Sequence, residues 1–288
     1  MSKLGGFDEK QLFASTVTLS DELGYRGALD ALCSIDAWGI ELGYPGDIHT
    51  IPTEIIQQTA KQFICHNYFF PVDKPFILNL ASDDDKIRRR SVKYVKQAIR
   101  FCDAQNIRLY TFHAGFRVDP TLDLTFYGEP TDRELAHKLF RESIVEVATF
   151  AAARNITLGI ENNVVEAQHL NSGQNDLLLY CTAGEFIELF ENISAKNVGL
   201  LLDIGHLRVA ANTLGLDPDE FGGLSDKIVA IHVHENDGRS DRHDPVEESG
   251  WALEFINRQL SATDVPIVFE SHFNSISRLR KAGKRLLS

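Results

Sequence analysis

The sequence contains few cysteines and no motif built from them. Cys33, Cys65, Cys102 and Cys181 are spread over 288 residues, without a C-x-x-C pair. A cysteine-type zinc site and a disulfide framework both need closely spaced or abundant cysteines. Neither therefore organises this chain, and we expect the four side chains to be buried thiols.

Long hydrophobic runs are also missing. Although 43% of the residues are hydrophobic, no stretch approaches the roughly 20 apolar residues that a transmembrane helix needs. The first residues, "MSKLGGFDEKQLFASTV", have no basic segment followed by an apolar one, so they do not resemble a secretion signal. We expect a cytoplasmic protein that does not associate with membranes.

Basic residues are outnumbered by acidic ones. The chain has 29 Lys and Arg against 41 Asp and Glu, which gives a formal net charge of -12. Nonspecific affinity for nucleic acid comes largely from Lys and Arg, because these side chains displace counterions from the phosphate backbone. The charge balance therefore disfavours a nucleic-acid partner without excluding one.

A glycine-rich phosphate loop is absent after the first predicted strand. The segment "TVTLSDELGYRG" contains no G-x-G-x-x-G, the motif typical of an open doubly wound sheet. Instead, eight short aliphatic runs alternate with segments of helical spacing, clearest in residues 87–106, 132–154 and 274–287. This alternation predicts a parallel sheet closed into a (β/α)8 TIM barrel, as one domain over residues 1–288. The runs lie at 12–17, 39–44, 63–69, 108–114, 157–162, 198–205, 228–234 and 266–271.

Histidines and carboxylates follow six of the eight predicted strands. In a TIM barrel the carboxyl ends of all strands meet at one face, where active sites lie. Charges that converge there would be costly without a compensating cation. A set of His, Asp and Glu without Cys suits Zn²⁺, Mn²⁺, Mg²⁺ or Co²⁺. The predicted ligands of this divalent metal site are His66, His113, Glu161, Asp203, His206, His234, Asp241, His243 and Glu270.

The strand "IVAIHVHEND" contains two histidines, either of which could be the metal ligand. His232 and His234 face the same side of the strand, because side chains alternate along it. His234 lies nearer the mouth of the barrel and is the predicted ligand, and His232 is an alternative ligand or a core residue. In "DIGH", the three-residue step lets Asp203 and His206 face the same site.

Five segments of the chain, "FHAG", "IENN", "LLDIGH", "HENDGRSDRH" and "FES", resemble the xylose isomerase-like TIM barrel superfamily in order and spacing. This superfamily includes sugar and sugar-phosphate isomerases and epimerases and the endonuclease IV group of DNA repair enzymes. The resemblance to the epimerases implies one divalent metal held by Glu161, Glu270, Asp203 and His234, with His206 touching substrate. A homodimer is expected from the same resemblance.

The resemblance to the endonuclease branch implies a larger cluster of two or three metals, for which all nine predicted ligands are candidates. The loops depart from that branch. It carries a basic, aromatic loop after the second strand that enters DNA, whereas this chain has "GYPGDIHTIP", without Arg or Lys. After Glu161, "ENNVVEAQHL" replaces a glycine-rich turn. These departures favour a small substrate.

The favoured interpretation of the sequence is a metal-dependent isomerase or epimerase of a small sugar or sugar phosphate. Glu161 and Glu270 would transfer the proton through a metal-stabilised enediolate. The alternative is a metal-dependent phosphodiester or phosphate-ester hydrolase with two or three ions, in which both carboxylates are metal ligands. A third interpretation is a barrel that binds a sugar without catalysis. The candidate substrate-binding residues are His113, His206, Arg239 and Arg242.

Overall fold

A computed structural model of the protein describes residues 7–43, 50–72, 74–246 and 249–287. Its main sheet is a closed barrel of eight parallel strands, as the alternating pattern predicts. In chain order they are β1 (Leu12–Ser15), β2 (Gly39–Leu42), β3 (Phe63–His66), β4 (Leu109–His113), β5 (Thr157–Glu161), β6 (Val198–Asp203), β7 (Ile228–Val233) and β8 (Ile267–Phe269).

Closure of the sheet follows from the pairing of its first strand. β1 is hydrogen-bonded to β2 on one side and to β8 on the other, and every pair around the barrel is parallel. Helices cover the outside and side chains fill the inside, so strands such as β6 are buried at every position. This double burial explains why the strands are aliphatic runs rather than alternating sequences.

Helices connect the strands and agree with the helical spacing of the sequence. The predicted segments 87–106, 132–154 and 274–287 each overlap a helix, with ends that differ by one to two residues. Thr182 caps the helix that begins with "AGEF", since its Oγ1 accepts a hydrogen bond from Glu185 N at 3.3 Å. The helices are α1 (Val17–Cys33), α2 (Thr53–Gln58), α3 (Asp85–Ala104), α4 (Arg133–Ala152), α5 (Ala183–Asn192), α6 (Ile204–Leu214), α7 (Trp251–Phe255) and α8 (Ile276–Leu286).

The register between neighbouring strands places the polar side chains at the strand ends side by side. His113 is the register partner of Glu161 on the neighbouring strand, and Asp203 is the partner of His232. Glu270 follows directly after β8. The parallel direction of all strands therefore gathers the predicted ligands at the carboxyl face of the barrel.

The structure also bears on the predictions for the cysteines, the membrane and the loop after the second strand. The cysteines are free thiols, and they are buried except for Cys33, which is partly exposed. None of the described helices is long and apolar enough to cross a membrane. The segment "GYPGDIHTIP", whose lack of basic residues argued for a small substrate, falls mostly on residues 44–49, outside the described ranges. A two-residue antiparallel pair, Leu170–Asn171 with Gln174–Asn175, was not predicted.

Candidate metal centre at the carboxyl ends of the strands

Glu161, the last residue of β5, lies among imidazole rings. Its Oε2 atom is 3.1 Å from His113 Nε2 and 3.4 Å from His66 Nε2. These two histidines end β4 and β3, so three adjacent strands each contribute one side chain. One ligand atom of each residue lies within 4.8 Å of the others. We call His66, His113 and Glu161 the first group.

The central group consists of Glu161, Asp203, His232 and Glu270, whose ligand atoms also lie within 4.8 Å of one another. The Nδ1 atom of His232 is 3.0 Å from Glu270 Oε2. The same nitrogen is 3.6 Å from Glu161 Oε1 and 3.7 Å from Asp203 Oδ2. Because Glu161 belongs to the first group as well, the two groups share one carboxylate.

The loop group consists of His206, His234, Asp241 and His243 and lies beside the central group. Asp241 Oδ2 is 3.2 Å from the Nε2 atoms of both His206 and His243. Its other oxygen is 3.7 Å from His234 Nε2. The rings of His234 and His243 stack with centroids 4.0 Å apart. One carboxylate is therefore surrounded by three imidazoles.

Three histidines of these groups bind an outer partner with one ring nitrogen and face a carboxylate with the other. His66 Nδ1 lies 2.9 Å from Thr111 Oγ1. His206 Nδ1 lies 2.9 Å from the carbonyl oxygen of Asn162, and His243 Nδ1 lies 3.1 Å from another backbone carbonyl. Histidines that bind metals show this arrangement, because the outer partner fixes the tautomer and orients the free nitrogen.

Glu161 provides a second indication of a cation. Both of its oxygens are buried without a hydrogen-bond partner, and its side chain is 1% exposed. A buried carboxylate costs several kcal/mol unless a charge compensates it. A divalent ion supplies that charge, and imidazole with carboxylate suits Zn²⁺, Mn²⁺ or Co²⁺. The side chains of the three groups therefore fit divalent metal ions.

The ionisable groups shift one another's pKa values. Burial raises the pKa of Glu161, but the opposing charge of His113 and the other imidazoles around it leaves this pKa below its usual value. Burial lowers the pKa of His113 itself. Burial also opposes the charged form of His206, but Asp203 and Asp241 raise its pKa well above the usual value. The lowered pKa of His113 favours its neutral, metal-binding form, whereas the raised pKa of His206 favours the form that must release a proton before it binds an ion.

Close packing shapes the segment "DIGH". Asp203 Oδ1 accepts a hydrogen bond from His206 N at 2.7 Å and so caps the start of α6. A Cβ atom on Gly205 would lie 2.0 Å from His234 Cε1. The glycine therefore leaves the space that the His234 ring occupies beside Asp203.

The loop after β7 folds back over the site. Glu235 and Asp244 form an antiparallel bridge at its base. The backbone N–H of Asp241 donates to Glu166 Oε1 at 2.7 Å. These contacts bring Asp241 and His243 close to the strand-end histidines. The spacing of the sequence alone does not show this proximity.

The nine predicted ligands all lie in the three groups. The structure separates His232 from His234. Both face the interior, and His232 belongs to the central group, so which of the two would bind the central ion stays a prediction. His234 joins the loop group, although its Nε2 stays 3.1 Å from Asp203 Oδ1. Strand alternation predicts the face of a side chain and not its depth.

Sequence reasoning missed Glu41, which it treated as part of the aliphatic run "GIELGY". This residue is fully buried, and its Oε2 lies 2.9 Å from His232 Nε2. The available signal was one charged residue in the middle of the otherwise apolar strand β2. A charge at such a position needs a partner, because an unpaired buried carboxylate is costly.

The two arginines predicted to bind substrate are exposed and contact carboxylates of their own loop. Arg242 Nε is 3.0 Å from Asp244 Oδ2, and its Nη1 is 3.8 Å from Asp237 Oδ2. Arg239 follows on the same loop, where its backbone N–H donates to Asp237 Oδ1 at 2.9 Å. A role in substrate binding stays a prediction for both, and Arg242 would have to leave its carboxylate partners.

Sequence comparison finds one matching family model and several similar proteins. The family model described as xylose isomerase-like TIM barrel matches residues 29–284. A probable endonuclease 4 of Aquifex aeolicus is 27% identical over 195 residues, which cover 64% of this chain and 62% of that protein. The uncharacterised protein MJ1311 of Methanocaldococcus jannaschii is 27% identical over 177 residues, 60% of this chain and 53% of that protein. The chain thus spans between half and two thirds of these two relatives.

Solved structures with a similar fold include several sugar epimerases. A D-tagatose 3-epimerase-like protein superimposes with a TM-score of 0.71 at 19% identity, over 96% of this chain and 95% of that one. A 3-keto-D-glucoside 4-epimerase of E. coli superimposes with a TM-score of 0.66 at 10% identity, over 96% and 97%. At these identities the similarity shows the fold.

Proposed function

Because the chain belongs to the xylose isomerase-like TIM barrel family, we propose that it is a metal-dependent enzyme whose active site is formed by the first, central and loop groups. We further propose that it hydrolyses a phosphate ester of a small, sugar-containing substrate. The geometry supports this reaction over the isomerisation that the sequence favoured.

The observation that carries the proposal is the position of Glu161. Its two oxygens lie within 3.1 to 3.6 Å of ring nitrogens of His66, His113 and His232, which belong to the first and central groups. A carboxylate placed in this way is suited to two ions at once. It is poorly suited to remove a proton from a sugar carbon, because its side chain is only 1% exposed. Sites with two or more close ions are typical of phosphate-ester hydrolysis.

Each of the three groups would bind one ion. His66 and His113 with Glu161 would hold one, the remaining central residues a second, and the loop group a third. When bound, divalent ions polarise a phosphoryl oxygen, lower the pKa of water and stabilise the leaving oxygen. The chain keeps its ligands rigid through the outer partners of its histidines, such as Thr111 and Asn162.

The more exposed members of the centre define where substrate would approach. The side chain of His113 is 35% exposed, and those of Asp241 and His243 are 21% and 22% exposed. A phosphate would therefore meet the centre between β4 and the loop after β7. The net charge of -12 favours a small ester over a long polyanion.

A specific observation supports a second candidate, the epimerase reaction on a small sugar. The central group contains two Glu, one Asp and one His, the composition of the single-metal site that the resemblance to epimerases implies. In that reaction Glu270, with 12% of its side chain exposed, would be the better placed of the two proton carriers. Glu161 would have to reach substrate from beneath the histidines.

The test counts metal ions and assays both reactions on the same preparation. Metal-free protein is reloaded with Zn²⁺, Mn²⁺ or Co²⁺, and bound ions are counted by mass spectrometry. The loaded enzyme is then incubated with sugar phosphates, a small phosphodiester and an abasic-site duplex. A parallel incubation with ketoses and ketose phosphates in deuterated water reports proton exchange at carbon.

We expect two or three ions per chain and metal-dependent release of phosphate or cleavage of the small diester, and the metal-free protein is the control. A single tightly bound ion together with deuterium in a sugar C–H position would refute hydrolysis and establish the epimerase reaction. Efficient cleavage of the abasic duplex alone would refute the small substrate.

A further inference from the structure

The loop after β4 carries a cluster of exposed apolar side chains, within residues 121–128, which we call the tip. Leu122, Leu124 and Tyr127 are 62%, 53% and 73% exposed, and they are the three most exposed large hydrophobic side chains among the described residues. A single exposed leucine is common on protein surfaces, whereas a contiguous apolar patch marks an interaction site. The tip is therefore a candidate contact surface.

The loop that carries the tip is held at its base. Arg117 Nε donates to the carbonyl oxygen of Thr131 at 2.8 Å, and the backbone N–H of Thr131 donates back to the carbonyl oxygen of Arg117 at 2.8 Å. Phe126 packs against Phe116 with ring centroids 5.7 Å apart. The exposed side chains thus belong to a loop with a defined conformation, which presents them without rearrangement.

Two recesses lie beside the tip, and the side chains of Phe76 and Arg90 line both of them. The guanidinium carbon of Arg90 is 3.9 Å from the ring centroid of Phe76. The first recess has a volume of about 700 Å³ and includes Ile77, Leu122 and Tyr127 in its mainly apolar wall. The second has a volume of about 550 Å³. Together they form one continuous surface next to the tip.

The second recess is basic. Its cations are Lys74, Arg90 and Lys93, and Arg90 Nη2 donates to the carbonyl oxygen of Lys74. None of the three forms an ion pair with a carboxylate among the residues that the structure describes, whereas Arg89, on the same helix α3, binds Asp85 Oδ2 at 2.5 Å. One end of the surface is therefore apolar, and the other offers positive charges that can pair with a partner.

We propose that the tip and the two recesses form a docking surface for an acidic segment of a partner protein that also carries large apolar side chains. The apolar side chains would fill the first recess against Leu122 and Tyr127. The carboxylates would pair with Lys74, Arg90 and Lys93. Tyrosine and arginine are enriched among the residues that contribute most to protein interfaces. None of these side chains belongs to the three ligand groups, so the inference does not rest on the proposed reaction.

Other occupants account for less of the surface. Residues 118–132 contain no Lys or Arg, and their carboxylates are those of Asp119, Asp123, Glu129 and Asp132. A phosphate polymer or an anionic membrane would be repelled there. Nucleic-acid bases also need aromatic surfaces to stack on, whereas much of the first recess is aliphatic. A second copy of the chain has the same formal net charge of -12, which opposes association.

The test selects peptides from a random library displayed on phage against the metal-free wild-type chain. Enriched peptides are synthesised with a fluorescent label and titrated by anisotropy, so binding is measured independently of turnover. We expect the enriched sequences to combine two or more carboxylates with at least one Leu, Phe, Tyr or Trp. Their affinity should fall as the salt concentration rises, because salt screens exposed charges.

Two double variants test the two ends of the surface separately. L122S/Y127S removes apolar contacts, and R90E/K93E reverses the charge of the basic end. Each should weaken binding of the enriched peptides about 10-fold or more. The matched controls are I187S, at an apolar side chain that is 45% exposed on α5, and K284E, at an exposed cation on α8. Both should bind the peptides as the wild type does. Circular dichroism checks that every variant is folded.

Wild-type affinity in both double variants would overturn the inference, and so would enrichment of peptides without carboxylates or of none at all. Tighter binding of a single-stranded oligonucleotide or of anionic phospholipid vesicles than of the peptides would overturn the choice of a protein partner. Sedimentation of the wild type as a dimer that dissociates in L122S/Y127S would instead assign the surface to a second copy of the chain.

Discussion

The pH dependence of metal binding in the loop group can be calculated from the surroundings of His243. Burial opposes the charged form of this residue, but its hydrogen bond to Asp241 and the charge of Glu270 raise its pKa from 6.5 to about 9. Its Nδ1 lies 3.1 Å from the carbonyl oxygen of Glu270, so Nε2 is the nitrogen left to bind an ion. That nitrogen carries a proton at neutral pH in the metal-free protein.

An ion can bind His243 only after this proton leaves. With a pKa of about 9, the proton of His243 should by itself make the affinity of the loop group for metal rise ~10-fold per pH unit up to pH 9. Between pH 7 and pH 9 this contribution is ~100-fold, or ~3 kcal/mol. The raised pKa of His206 means that this residue has a further proton to release, which steepens the pH dependence. In the metal-free protein, folding stability changes with pH in the opposite direction to metal affinity. The stability from the pair with Asp241 is present below pH 6.5 and is lost as the pH rises through about 9.

The assay is titration with Zn²⁺ against a competing chelator from pH 6.5 to 9.5, with calorimetry in two buffers to count released protons. H243Q is the matched variant, since it keeps the size of the side chain and cannot hold the proton. We expect its affinity to be lower and its pH dependence shallower than in the wild type. Equal slopes in the two proteins would refute the reasoning, because the titrating group would then lie elsewhere.

Further predictions concern the ligands themselves. E161Q should abolish activity and weaken binding of two ions while circular dichroism shows an intact barrel, because one carboxylate serves two groups; loss of a single ion would argue against sharing. Replacing Asp241 and His243 by Ala together should lower the metal content by one ion per chain, and an unchanged count would assign the pair to substrate. G205A should weaken metal binding because its Cβ would lie 2.0 Å from His234 Cε1, whereas G223A, where a Cβ meets no atom within 4 Å, should bind metal normally.

The barrel and most of its ligands follow from the sequence for a physical reason. Parallel strands buried on both faces leave a continuous apolar signal, and each ligand interrupts that signal at a strand end, as Glu161 does. The sequence does not show how deep a side chain lies within the barrel. His232 and His234 share one face, and the register of β6 with β7 decides which of them lies level with Asp203.

Two other features required the folded chain. Glu41 has no ligand-type neighbour in the sequence, and only closure of the barrel brings it to His232, 191 residues away. The exposure of Arg239 and Arg242 depends on the fold of the loop after β7, which is set by its bridge and by Glu166. Contacts of this kind join distant segments, so local patterns do not reveal them.

The carboxylate of Glu161 belongs to two groups of candidate ligands, so two ions bound there would not bind independently. Occupation of the first group would orient this side chain and withdraw part of its charge from the central group, and the reverse holds with the same coupling free energy. Metal loading should therefore be cooperative, positive or negative, rather than a sum of separate equilibria. At limiting metal concentrations the population would divide between empty, partly filled and full centres in proportions set by that one side chain.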